Sequence, residues 1–368
     1  MKKKLTDLCD IQYGYAFDSK LFTNDEGYIP LIRIRDVQRG FSETYYSGKY
    51  PVEYVVHPGD LLVGMDGEFN ISRWKDRDAL LNQRVCKITA KNGTSEEYIR
   101  FALSKALKEI EQRTSFVTVK HLSAKELNRL VLDIPCYSSQ VHIVGLCSSL
   151  ERIIEKRKKQ LQILDELIKA RFVEMFGDEK NLMTMSEVCS IITDGTHQPP
   201  RFTDTGIPFI FVSNITGDKV TYDAEKFIDQ DTYDELIKRT PIEVGDVLLS
   251  TVGSYGHPAV VRSDKKFLFQ RHIAYLKPRR EIINSDYLHG AILSPDAQRQ
   301  IEEGVKGIAQ KTLNLSEIKK MRIPVPVMNR QKEFAAFVAQ VDKSKSVVKK
   351  SLDETQLLFD SLMQKYFG

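Results

Sequence analysis

The chain carries one stretch twice: Tyr137 to Gly177 and Met328 to Gly368 align without a gap at a constant offset of 191 residues. A repeat of this size confines the fold to tandem copies of a single unit. Seven positions keep their identity, namely Gln140/Gln331, Lys158/Lys349, Lys159/Lys350, Leu161/Leu352, Leu167/Leu358, Phe176/Phe367 and Gly177/Gly368. The apolar pattern is kept better than the letters.

At alternating steps of four and three, the first copy reads Ile143, Cys147, Leu150, Ile154, Arg157, Leu161, Leu164, Ile168, Arg171, Met175. The second reads Phe334, Val338, Val341, Lys345, Val348, Leu352, Thr355, Phe359, Leu362, Tyr366. A period of 3.5 holds one seam against a partner helix, the coiled-coil signature, and no proline interrupts either run. Two matched helices, each roughly 55 Å long at about 1.5 Å per residue, are expected to pair antiparallel. Arg157, Arg171 and Lys345 interrupt the seam and are read as register-setting positions. The charged run Glu155 to Lys159 reads as a solvated face.

Ahead of each helix lies a stretch of domain size. The boundaries are a first domain at residues 1–136, a first helix at 137–178, a second domain at 179–327 and a second helix at 328–368. Landmarks recur in order: Thr6-Asp7-Leu8-Cys9 answers Ser186-Glu187-Val188-Cys189, Ile29-Pro30 answers Ile207-Pro208, and Gly59-Asp60 answers Gly245-Asp246. Asn82-Gln83-Arg84 is matched with Phe269-Gln270-Arg271, and Lys120-His121-Leu122 with Lys311-Thr312-Leu313. Short β-rich runs punctuated by Gly, Pro, Asn and Asp predict strands over Ile29 to Val37, Asp60 to Met65, Val85 to Thr89, Ile207 to Ile215, Asp246 to Thr251 and His272 to Leu276. Helices are predicted over Ser95 to Arg113 and Ser285 to Glu303, each followed by a short helix. Ser123 to Glu126 fits a capping box, and Asn314 to Glu317 its Asn-headed counterpart. The fold class is α+β, two tandem domains with mixed, curled sheets separated by two long helices in an antiparallel coiled coil.

Five cysteines without a C-x-x-C pair point to neither a disulfide framework nor a zinc site, and a reduced cytoplasm is the expected location. The opening Met1-Lys2-Lys3-Lys4 is not followed by an apolar run of signal or membrane length. A net charge of +4 permits nucleic-acid binding without demanding it. No Walker loop, H-E-x-x-H, G-x-S-x-G or kinase signature occurs. Gln198-Pro199-Pro200-Arg201 lacks the leading Asp or Asn and the closing aromatic of an amino-methyltransferase, and Asp60 with Glu68 lacks the lysine of a nuclease core. The chain is therefore read as non-catalytic.

Two variable domains, each closed by an I-P-x-P-like turn, a Gln and a long heptad helix, resemble the DNA specificity subunit of type I restriction-modification systems over the whole chain. Local strings are similar too: Ile192-Thr193-Asp194-Gly195-Thr196-His197 with Pro199, Met65-Asp66-Gly67 through Trp74, Ser250 to Gly256, and Val325-Pro326 leading to Arg330-Gln331. The chain begins almost directly at the first domain, without the N-terminal extension of some members. The resemblance implies that each domain reads one half of a split DNA site, while the helices space the readers and dock methyltransferase subunits. Half-sites within roughly 16 base pairs would be in reach. Strong divergence between the domains predicts an asymmetric site. The implied partners are double-stranded DNA, two methyltransferase subunits and, in a full restriction complex, restriction subunits, with no membrane. S-adenosylmethionine would sit on the methyltransferase, and this chain would hold no cofactor and no metal.

Arg can grip guanine bidentately and Asn or Gln can grip adenine, so forked and amide side chains in glycine-punctuated loops are the candidate DNA contacts. In the first domain these are Tyr15, Arg33, Arg35, Asn70, Arg73, Trp74, Gln83 and Arg84. In the second they are Thr196, His197, Arg201, Asn214, Ser254, Tyr255, Gln270 and Arg271. Lys120 and Lys311 are candidate phosphate contacts. The competing reading is a scaffold that joins two protein-binding domains, or a decoy subunit, with no role in reading DNA.

Overall fold

A computed structural model describes residues 1–113, 121–217, 219–307 and 311–368, and the chain divides into two units. The first comprises Met1–Lys156 with Ser351–Gly368, the second Arg157–Lys350.

In the first unit a four-stranded antiparallel sheet runs in the order Cys9–Tyr13, Val85–Ala90, Leu61–Gly64, Ile71–Arg73. Leu61, Leu62 and Val63 are all buried, because both faces of this sheet are covered. Leu61, Val63, Cys86 and Ile88 pack on the side of the helix Glu96–Arg113, whereas Leu62 and Val85 pack with Ile32, Val37 and Trp74. A second, open sheet has the order Phe22–Thr23, Tyr45–Tyr46, Ile29–Ile32, Ala79–Leu81, Val55–Val56 and is mixed, since Ile29–Ile32 and Ala79–Leu81 pair in parallel. Lys2–Lys4 and Val131–Asp133 form a small ribbon that ties the start of the domain to its end.

The second unit repeats this plan. Its four-stranded sheet is ordered Cys189–Asp194, Ile273–Pro278, Val247–Ser250, Pro258–Val260. A three-stranded sheet, Lys226–Ile228, Ile207–Ile210, Leu268–Phe269, again contains one parallel pair. Leu182–Thr184 and Arg322–Pro324 form the closing ribbon.

Four sequence expectations need correction. The strand expected to Val37 stops at Ile32 and the one expected to Ile215 stops at Ile210, each followed by a turn of helix, Ile34–Arg39 and Val212–Asn214. The cause is local capping: the Asp36 carboxylate accepts from the Arg33 N–H at 2.8 Å, and the Asn214 amide oxygen from the Phe211 N–H at 2.9 Å. The single helix expected over Ser285 to Glu303 is two, Ser285–Ile292 and Pro295–Gly304, because Ser294 caps a fresh helix whose first residue is a proline. Ser123 and Glu126 form the expected reciprocal box, but the Asn314 side chain makes no capping bond.

Both long helices are present, Tyr137–Phe176 and Met328–Phe367, each of 40 residues. All ten seam positions of each are at least half-buried, while Glu155, Lys156, Lys158 and Lys159 are exposed. Within the second unit the pairing direction is explicit: Arg330 donates to the Met175 carbonyl at 2.9 Å, Arg171 lies 4.0 Å from Glu333 and Lys345 lies 2.5 Å from Asp165. One index falls as the other rises, so the segments run antiparallel. The polar seam residue Lys345 thus has a cross-helix partner, as a register-setting position requires. Lys345→Leu is expected to leave stability within about 1 kcal/mol, since a half-exposed pair contributes little. It should nevertheless broaden the distance distribution between spin labels at Glu166 and Ser346. A single narrow distance in the variant would remove the register role.

The repeated glutamine closes the plan. Buried Gln140 accepts from the Ser95 N–H at 2.8 Å and donates to the Pro135 carbonyl at 3.0 Å. Gln331, also buried, accepts from the Asn284 N–H at 2.8 Å and donates to the Ile282 and Pro326 carbonyls at 3.0 and 2.8 Å. Each amide ties the first turn of a long helix to the N-terminus of its own domain's helix. The repeated phenylalanine does the converse. Phe367 packs 5.0 Å from Tyr98 in the first unit, and Phe176 packs 5.0 Å from Tyr287 in the second.

Candidate nucleic-acid interface

In each domain four chain segments are laced together where strands leave the four-stranded sheet. In the first, Tyr15 N donates to Leu81 O, Gln83 N to Tyr15 O, Met65 N to Arg84 O and Leu122 N to Met65 O. In the second, Thr196 N donates to Phe269 O, Arg271 N to Thr196 O, Thr251 N to His272 O and Leu313 N to Thr251 O. The same four bonds recur, which makes Gln83 equivalent to Arg271 and Arg84 to His272. The sequence matching of Gln83 with Gln270 and Arg84 with Arg271 is therefore one residue out of register. The close approach needs a glycine: a Cβ on Gly14 would lie 2.0 Å from Asn82 O, and one on Gly195 would lie 2.3 Å from Phe269 O.

On this shared frame the two domains present different side chains. The first shows Asp66, Arg84 and His121, with Arg84 Nε 3.4 Å from Asp66, Arg84 Nη1 3.3 Å from His121, and His121 hydrogen-bonded to Asp66. Arg84 is held at φ 75°, a left-handed conformation that turns its half-exposed side chain out of the ladder. The equivalent positions of the second domain are Val252, His272 and Thr312. Burial, and then the charge of neighbouring Arg271, lower the His272 pKa and favour its neutral ring, which both donates and accepts.

A cleft of about 580 Å³ opens beside this frame in the second domain, between the segment from Gly195 to Arg201 and the helix Gln230–Leu236 with the turn after it. Thr196, His197 and Arg201 line it, together with Lys238 and Arg239. Asp194 accepts from Arg239 Nη2 at 2.5 Å and lies 2.8 Å from His197.

The remaining sequence candidates divide by exposure. Tyr15, Arg33, Arg35, Gln83, Ser254 and Arg271 are exposed, while Asn70 and Gln270 are half-buried. Tyr15 packs 5.0 Å from Phe17 and 5.1 Å from Tyr54, a small aromatic platform. Tyr255 donates to Glu302 at 2.6 Å, and Lys311 lies 3.1 Å from the same carboxylate, an exposed pair that exchanges readily with other anions. Three candidates are committed inside the fold instead. Trp74 is 1% exposed and donates to the Arg77 carbonyl, Arg73 is paired with Glu96 and Glu97, and Asn214 is the buried cap described above. Lys120 lies outside the described residues. Asp66, His121, Asp194, Lys238, Arg239 and His272 lie beside these candidates although they were not singled out as contacts. Asp66 and Asp194 sat within the strings that carried the resemblance, whereas Lys238-Arg239 has no adjacent glycine to mark it.

The family described as the type I restriction modification DNA specificity domain matches residues 1–164 and 178–355. The type I restriction enzyme EcoBI specificity subunit of Escherichia coli is 31% identical over a 405-residue alignment that covers 100% of this chain and 85% of that protein. The type I restriction enzyme MjaVIII specificity subunit of Methanocaldococcus jannaschii is 17% identical, covering 90% and 83%. Among solved structures, the S subunit of a type I restriction-modification system from M. genitalium superposes with a TM-score of 0.55 at 16% identity, over 100% of this chain and 96% of that one.

Proposed function

The chain belongs to the type I restriction-modification DNA specificity family and is a specificity subunit that recognises DNA sequence, and from that premise we propose that its two domains read the two different halves of an asymmetric, interrupted site. The observation that carries this is the shared frame with unlike side chains: Asp66, Arg84 and His121 in one domain, Val252, His272 and Thr312 in the other. Equal backbones place the readers alike on their half-sites, and unlike side chains read different base edges. Tyr15, Gln83 and Arg84 are the leading base readers of the first domain. Thr196, His197, Arg201, Ser254, Gln270 and Arg271 are those of the second. Arg33, Arg35, Asn70, Tyr255 and Lys311 contribute at the rim, where side-chain charge and hydrogen bonding act on the phosphates.

The two long helices set the half-site spacing and dock two copies of the methyltransferase subunit. The repeated Leu167 and Leu358, 44% and 51% exposed at matching positions, support two equivalent docking surfaces. S-adenosylmethionine and the target-base pocket belong to those partners, and turnover requires them. The complex would act in the cytoplasm, where restriction subunits join it.

Methylome sequencing of cells that express this chain with its cognate methyltransferase, against cells lacking the chain, tests the reading. Methyladenine in a split, asymmetric motif that vanishes with the chain is expected. A palindromic motif would overturn the asymmetry, and a methyltransferase that binds the chain yet leaves no motif would favour a decoy subunit.

A further inference from the structure

We infer that Arg239, buttressed by Asp194, is the guanine-reading side chain of the second domain, the counterpart of Arg84 with Asp66 in the first. The inference deepens the proposed reading of DNA and rests on it. Both domains carry an Asp-Arg-His trio at the interface, yet from positions the shared frame does not relate. Asp194 follows the position of Ile192 and Thr193 at the end of a sheet strand, His197 lies in the segment beyond Gly195, and Arg239 comes from the turn after the helix Gln230–Leu236, 45 residues from Asp194 in sequence. The same chemistry assembled from different parts marks what each half-site demands.

The geometry favours a base edge over a phosphate. The Asp194 side chain is 16% exposed and the Arg239 side chain 51%. All hydrogen bonds of this guanidinium with described residues run through Nη2, to Asp194 at 2.5 Å and to Thr193 Oγ1 at 3.5 Å, while His197 Nε2, 3.4 Å away, lies 2.8 Å from the Asp194 carboxylate and donates to it. Nη1 and Nε have no protein acceptor among those residues, and Asp194 takes one of the two Nη2–H bonds, so the other Nη2–H with the N–H beside it on Nη1 or Nε remains as a donor fork for a ligand. The carboxylate cancels most of the cation's pull on an anionic phosphate while it fixes the plane of the fork. A neutral edge with two acceptors matches that fork, and guanine O6 and N7 are such an edge in the major groove. Ordering the side chain in advance also lowers the entropy lost on binding.

The test compares methylomes of the complex carrying the wild-type chain, Arg239→Ala, Arg239→Lys, Asp194→Asn and Arg84→Ala, each expressed with the cognate methyltransferase subunits. Arg239→Ala is expected to reduce the preference for one guanine of one half-site about tenfold or more, leaving the other positions intact. Arg239→Lys, which keeps the charge but not the planar fork, should relax the same position. Asp194→Asn should relax it partially with the rest of the motif unchanged, as expected of a positioning residue. Arg84→Ala should relax a guanine in the other half-site. An unchanged motif in Arg239→Lys, an even loss of methylation at all related sequences, or a wild-type half-site without a guanine-cytosine pair would each overturn the assignment. Absence of any motif with the wild-type chain would instead overturn the DNA-reading function itself.

Discussion

Gln331→Ala is expected to lower the melting temperature of the second unit by about 10 °C, and Gln140→Ala to do the same to the first. Each truncation leaves a half-buried N–H and at least one half-buried or buried carbonyl without a partner, at about 1–3 kcal/mol per group. For a unit of this size about 1 kcal/mol corresponds to roughly 2–4 °C. Gln331→Glu would keep the acceptor for the Asn284 N–H but set a buried negative charge against the Ile282 and Pro326 carbonyls, so a melting temperature below that of Gln331→Ala is expected. Calorimetry of the full chain would check this, and a Gln331→Ala protein that melts with the wild type would show that water replaces the amide. The repeat kept glutamine here because one side chain must accept and donate at once, in opposite directions, inside the core.

Gly195→Ala is expected to abolish recognition of one half-site. The added methyl would lie 2.3 Å from Phe269 O and 2.5 Å from Gln270 O, both backbone atoms that belong to the frame. The segment carrying Thr196, His197 and Arg201 must then shift, at about 1–3 kcal/mol in stability, and several base contacts are misplaced together. Their joint loss should weaken binding to the cognate site by more than about 100-fold. Gly145→Ala is the control: nothing lies within 4 Å of its Cβ position on the first long helix, and a small gain in stability is expected there. Binding of the methyltransferase complex to labelled duplexes carrying the cognate or a scrambled half-site reads the outcome. Retained discrimination in Gly195→Ala would mean that the segment after Gly195 does not touch the bases.

By itself the sequence determined the duplication, the two 40-residue helices, the seam on which they pair and the order of most strands. These follow from local periodicity and from counting copies, which need no knowledge of what lies across the fold. It misjudged continuity where a single side chain caps the backbone, at Asp36, Asn214 and Ser294, because a capping bond overrides the propensity of the residues beside it. Tertiary structure alone decided which polar side chains remain free to meet DNA. Trp74, Arg73 and Asn214 carry the right chemistry but satisfy partners within the fold, and Arg239 reaches Asp194 and His197 only through loops whose lengths differ between the domains. Residue type states what a side chain can bind. Whether that capacity is already used depends on neighbours distant in sequence, and only the packed chain brings them together.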